Sequence, residues 1–178
     1  MKTKLILLLL ISITTFSSCK NDKSETKNNE DTSEVISNNF KVTLKLIIKK
    51  DDDFALFFTE DGSINFKDDP IWHGVKGSES LQDVVFELPE GSYPTQLRMD
   101  LGIKKDQEDI TLKSVKMEYK GKTREIVGAE LINFFRADDS KCTFDPATGL
   151  IKAVGPTKAP SLYPQEANLG PEIAKLAK

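Results

Sequence analysis

From residue 42 onward, short stretches with an apolar residue at every second position recur along the chain. A period of two is the signature of a strand with one buried face. Val42, Leu44, Leu46 and Ile48 alternate with Lys41, Thr43 and Lys45. Val84, Phe86 and Leu88 follow Asp83 and stop at Pro89-Glu90-Gly91. Leu97, Met99 and Leu101 alternate with Gln96, Arg98 and Asp100. Phe54, Leu56 and Phe58 alternate too, but Phe57 between them is also apolar, so this strand is expected to be buried on both faces. Ile110 and Leu112 are followed by Val115, Met117 and Tyr119 in the opposite phase. One extra residue at a β-bulge produces such a slip.

Turn chemistry separates these runs. Lys120-Gly121-Lys122 suits a hairpin into a strand over 123–127, and Asp145-Pro146-Ala147-Thr148-Gly149 divides two further strands. Residues 129–135 fit either a strand or a single helical turn. Prolines at 156, 160, 164 and 171 punctuate an aperiodic segment. It is read as extended coil pinned to the surface by Leu162 and Tyr163, with a short helix starting at Pro171. About eight or nine short strands, each with one apolar face, predict an all-β, jelly-roll-like sandwich of two sheets. No long capped amphipathic helix supports a doubly wound α/β fold.

The first residues have a different logic. Lys2 and Lys4 precede an unbroken apolar run, Leu5 to Ile11, extended by Ile13 and Phe16. The run is short of the roughly 20 residues that a bilayer span takes, and it reads as a signal segment, 1–18. Phe16-Ser17-Ser18-Cys19 resembles the bacterial lipobox, with Phe16 bulkier than the usual Leu. The resemblance implies cleavage before Cys19 and a diacylglyceryl thioether on its sulfur. The alternative is an ordinary secretory signal with an incidental cysteine. Two or three acyl chains on one residue make a firm membrane anchor. Lys20 stands where an Asp would retain an enterobacterial lipoprotein in the inner membrane, and residues 19–25 resemble the charged leaders of Bacteroidetes lipoproteins. The expected location is the cell envelope, at the outer membrane, on either its periplasmic or its surface side. Residues 19–39 are polar and charged and are read as a disordered tether. A β-domain over 40–165 and a tail over 166–178 follow.

Asp83-Val-Val-Phe-Glu-Leu-Pro, Leu97-Arg-Met-Asp-Leu-Gly102 and Ile110-Thr-Leu-Lys-Ser-Val115 resemble the galactose-binding-like jelly rolls of carbohydrate-binding modules. The match covers roughly residues 84–119. It implies a sandwich whose loops or concave face hold a sugar.

The candidate binding residues are few. Trp72, the only tryptophan, lies in Asp68-Asp69-Pro70-Ile71-Trp72-His73-Gly74, read as a loop. An aromatic face beside carboxylates suits a sugar, with Asp69 as an acceptor and His73 as a neighbour. The competing reading has Trp72 plugging one end of the core and His73 as a solvated loop residue. Arg98 and Asp100 share one strand face, either as cross-strand ion pairs or as part of a binding surface. The clusters Asp51-Asp52-Asp53, Asp68-Asp69 and Asp138-Asp139 match no calcium-loop signature. They are read as charged turns, with no cofactor expected and a structural calcium left open. A single histidine makes a His-based zinc site improbable. Cys142 has no partner once Cys19 is lipidated and is read as a buried small hydrophobe.

Net charge is −3 with no basic tract, so no nucleic-acid partner is expected. No nucleophile elbow, phosphate loop or metal helix is present, and the chain is not expected to be an enzyme. The expected function is a lipid-anchored sandwich that binds a ligand, a glycan or an envelope protein, without catalysis. A small hydrolase with convergent carboxylates is the third option. The anchor is directly testable: a Cys19→Ser variant should lose the acyl mass by intact mass spectrometry and move from the detergent to the aqueous phase on phase separation. Retention of the variant in the detergent phase would overturn the anchor.

Overall fold

The structure, a computed structural model, describes residues 38–155 and 159–178. The signal segment, Cys19 and all but the end of the tether lie outside the described residues. The alternating runs form eleven strands: β1 Lys41–Ile48, β2 Asp52–Thr59, β3 Ile71–Val75, β4 Ser78–Glu87, β5 Gln96–Leu101, β6 Ile110–Tyr119, β7 Lys122–Val127, β8 Phe135–Ala137, β9 Cys142–Asp145, β10 Leu150–Ala153 and β11 Ser161–Pro164. A 3-10 helix, Gly128–Asn133, precedes β8, and one α-helix, α1 Glu166–Leu176, ends the order. The fold is an all-β sandwich of two antiparallel sheets, as the periodicity predicted, with eleven strands instead of eight or nine.

One sheet, called the first, runs β4-β1-β6-β10-β9. β7 pairs with the C-terminal part of β6 and β10 with its start. The other sheet runs β3-β2-β5-β11-β8. The apolar residues of each period-two run face inward. Val42, Leu44, Leu46, Phe54, Leu56, Leu97, Met99, Leu101, Val115 and Met117 all lie in one buried cluster. Each such side chain contributes about 1.5–3 kcal/mol when fully removed from water. The expected slip in β6 is present. Lys45 is paired with Ser114 and Leu46 with Leu112, so Lys113 is the extra residue. The bulge returns Val115 and Met117 to the core after Ile110 and Leu112.

Two expectations are corrected at the C-terminal end. Residues 161–164 are not surface coil but β11, inserted between β5 and β8. The prolines at and beside the strand, Pro164 and Pro160, sit where they cost the ladder least. Pro164 closes the strand, and Pro160 lies just before it and offers its carbonyl to the N–H of Leu101, 2.8 Å away. The helix starts at Glu166 rather than Pro171, so Pro171 lies inside it. Packing outweighs the lost backbone donor. Leu169, Ile173 and Leu176 are buried, and Gly170 lets the helix come so close that a Cβ there would sit 2.9 Å from Gln96 Nε2. Arg124 on β7 pairs with Glu172 at 3.0 Å and also with Glu130. The Tyr93 hydroxyl donates to the Ile173 carbonyl at 2.5 Å, beside an aromatic cluster of Phe40, Tyr93 and Tyr119.

One buried carboxylate organises the opposite end. Asp52 is 2% exposed. Its Oδ1 accepts from the backbone N–H of Asp53, Ile103 and Lys104 at 2.8, 2.9 and 3.2 Å. Its Oδ2 accepts from Gln107 Nε2 at 2.9 Å. Gln107 also donates to the Lys50 carbonyl. The β1–β2 turn and the β5–β6 connection are thus tied through one side chain. Gly102 follows β5 with φ of 114°, and a Cβ there would meet Asp52 Oδ2 at 2.5 Å. Hydrogen bonds to a charged group contribute about 1.5–3 kcal/mol each, and unpaired buried donors are costly. Asp52→Ala is therefore expected to lower the unfolding free energy by about 3 kcal/mol, read from the denaturant midpoint. A change under about 1 kcal/mol would show that water replaces the carboxylate without loss.

Candidate functional site

The two outer faces of the sandwich differ in chemistry. On the first sheet, Lys41 lies between Glu87 and Glu118, and Lys116 lies between Thr43 and Glu125. Lys116 Nζ is 2.9 Å from Glu118 Oε2, and the Ser114 hydroxyl donates to Glu125 at 2.6 Å. This is a chequerboard of opposite charges, the ordinary solvated face of a sheet.

The second sheet carries rings instead. Phe57, opposite Arg98 in the ladder, is half-buried on the outer side of β2. Arg98 lies between two aromatic faces, its guanidinium carbon 4.5 Å from the Phe57 ring centre and 4.8 Å from that of Tyr163. Phe66, from the β2–β3 connection, presents its ring at a steep angle to both Phe57 and Tyr163. Arg136, opposite Tyr163 on β8, places its guanidinium 5.3 Å from the same ring. Cation–π contacts of this kind contribute about 0.5–2 kcal/mol each. Asp100 takes both Arg98 Nε, at 2.9 Å, and Nη2, at 2.5 Å. With side chains 15% and 18% exposed, Arg98 and Asp100 form part of a platform and not a free binding arm.

Trp72 is 56% exposed. It is not a core plug, and it is not in a loop. It sits on edge strand β3 directly opposite Ala55, which is in turn opposite Asp100. The turn residues Asp68, Asp69 and Pro70 mark only the entrance to this strand, whose backbone is paired with β2 along its length. Trp72, Arg98 and Asp100 therefore share one outer face. His73 does not share it. Its side chain points to the other side of β3, where its ring lies 5.7 Å from Phe86, edge to face. Asp69 is exposed before β3.

The acidic clusters divide: Asp51 and Asp138 lie in the turns between strands, whereas Asp52 and Asp53 open β2 and Asp52 is buried, so that part of the charged-turn expectation is corrected. Asp51 accepts from Lys76 and from the Gly77 N–H, Asp138 from Ser140 and Asp145 from Thr148. These bonds, in that order led by Lys76, the Ser140 hydroxyl and the Thr148 hydroxyl, hold the three carboxyls below their usual range. Among the described residues, no group of three or more His, Cys, Asp or Glu side chains is placed to hold a metal ion. No described helix is long and apolar enough to cross a membrane. No family model, no curated protein and no solved structure matches the chain.

Several platform residues escaped the sequence reading. Phe57 had left a signal, because it broke the alternation of its strand. Phe66 had none, standing in an aperiodic connection. Tyr163, expected as a surface pin, is the ring between two arginines, Arg98 and Arg136. Cys142 is fully buried, with Sγ 3.4 Å from the Ser161 carbonyl. Burial pushes its thiol pKa up, which suppresses the reactive thiolate. In a Cys19→Ser background, Cys142 is expected to resist a disulfide reagent in the native protein and to react at once in denaturant. Fast native labelling would show that β9 opens.

Proposed function

We propose that this domain is a non-catalytic binding module, held at the cell envelope by lipid on Cys19, and that the outer face of the second sheet takes a glycan. The observation that carries the reading is Trp72, a large apolar ring more than half exposed on the same face as an aromatic platform. A ring held on a rigid strand stacks on the C–H faces of a sugar with little loss of side-chain freedom. The likeness of residues 84–119 to galactose-binding-like jelly rolls supports the same reading. Catalysis is disfavoured by the carboxylates at hand. On this face Asp100 is held by Arg98, which leaves Asp53 alone beside Trp72, whereas glycoside hydrolysis uses two carboxyl groups free to act on the substrate.

Docking on an envelope protein is the second reading. It is favoured by Leu81 and Val85, exposed at 50% and 42% on the long edge strand β4. An edge strand with apolar side chains offers an unpaired backbone to an added strand.

Screening the full mature chain against host, dietary and cell-wall glycans separates the two. Trp72→Ala is expected to weaken binding about thirtyfold or more, with the melting temperature unchanged because the ring is exposed. Undiminished binding by the variant, or no binding to any glycan in the wild type, would sink the glycan reading. In the second case, crosslinking from intact membranes through β4 becomes the decisive measurement.

A further inference from the structure

We infer that the corner formed by Trp72 and Asp53 selects sugars by charge, accepting neutral and amine-bearing units and rejecting those with a carboxylate or sulfate. The inference rests on the glycan reading of the same face and adds the class of sugar.

Asp53 lies two residues before Ala55 on β2, and Ala55 is the direct partner of Trp72. Trp72 and Asp53 are thus diagonal neighbours on one face, with Cβ atoms about 7 Å apart by sheet geometry. That spacing lets one sugar ring lie on the indole and place a hydroxyl or amine on the carboxylate. The partner opposite Asp53 is Gly74. A Cβ on Gly74 would come 3.4 Å from Asp53 Oδ1, so the carboxylate leans toward the strand that carries Trp72. Beside it, Gly74 leaves open space instead of a side chain.

The Asp53 carboxylate has no hydrogen bond or ion pair to another side chain among the described residues. The cations of the neighbouring turns are engaged elsewhere: Lys49 and Lys50 both pair with Glu108, and Lys50 Nζ donates to the Asp106 carbonyl at 2.8 Å. Lys76 Nζ is 2.7 Å from Asp51 Oδ2, and Lys104 Nζ donates to the Asp51 carbonyl at 3.0 Å. Arg98 is neutralised by Asp100. Arg136 stands at the far edge, beyond Tyr163. A ligand stacked on Trp72 therefore meets an uncompensated negative charge and two small neighbours, Ala55 and Gly74. A hydroxyl or ammonium donates to that charge, and a second anion is repelled by it.

The test uses the full mature chain in detergent at low ionic strength and oligosaccharides of matched length: neutral hexose, glucosamine and uronate series. Uronates are expected to bind about tenfold more weakly than their neutral counterparts, and the gap should shrink in high salt. Asp53→Asn should close most of the gap, by strengthening uronate binding and by weakening neutral and glucosamine binding where the charged acceptor is lost, with the melting temperature in place. Trp72→Ala should weaken every series. Trp72-dependent uronate binding as tight as neutral binding would overturn the charge rule while leaving the glycan reading intact, and so would a gap that Asp53→Asn does not change. Absence of binding in all three series would overturn both.

Discussion

The long strands of this sandwich each have one apolar face, and burying those faces against each other is the interaction on which the remainder depends. The core residues of the long strands are inward-facing members of period-two runs, joined by Leu131, Leu169, Ile173 and Leu176 from the helical segments, and the sheets stay registered because a one-residue slip would turn the strands' apolar set outward. The bulge at Lys113 belongs to the same constraint. Without it, Ile110 and Leu112 could not share the core with Val115 and Met117. The polar ties, Asp52 at one end and Arg124 with Tyr93 at the other, close the ends of a structure that apolar contact assembles.

With the inner faces committed to the core, the outer faces are free to differ. One carries lysines and carboxylates that pair with each other, with Val85 and Val127 exposed among them and no ring platform. The other has Phe57, Phe66 and Tyr163 around Arg98, with Trp72 one row away. Rings on a water-facing sheet gain little for the fold unless something covers them. Phe66 partly does so for Phe57 and Tyr163, which is why those two are half-buried while Trp72 is not. The contrast between the faces, more than any single residue, makes the second sheet the candidate site.

The core was legible in the sequence because alternation is a local signal, and so was the bulge, because a phase slip is local too. The chain around Ser161–Pro164 was misread for the opposite reason. Its four residues have no periodicity to display, and only the unpaired edges of β5 and β8 make them a strand. Trp72 was misplaced by its flanking turn residues, which mark the start of β3 and not its nature. The Arg98–Asp100 pair was visible as two residues on one face. That its guanidinium is held between Phe57 and Tyr163 depends on residues far apart in sequence, brought together by the β2–β5–β11 ladder.

The position of β11 has a consequence for how the molecule reaches this state. It joins β5 to β8 within its sheet, yet it comes from residues 161–164, and the helix that closes the end comes later still. A chain emerging from its N-terminus at a ribosome or a translocation pore leaves that sheet divided until the last segments arrive. Most of its pairings join residues distant in sequence, so loop closure precedes their reward and folding is slow. Late completion keeps the polypeptide pliable until residues 161–164 arrive. It also leaves β5 and β8 as bare edges in the meantime, the stage at which a holding chaperone would serve it best.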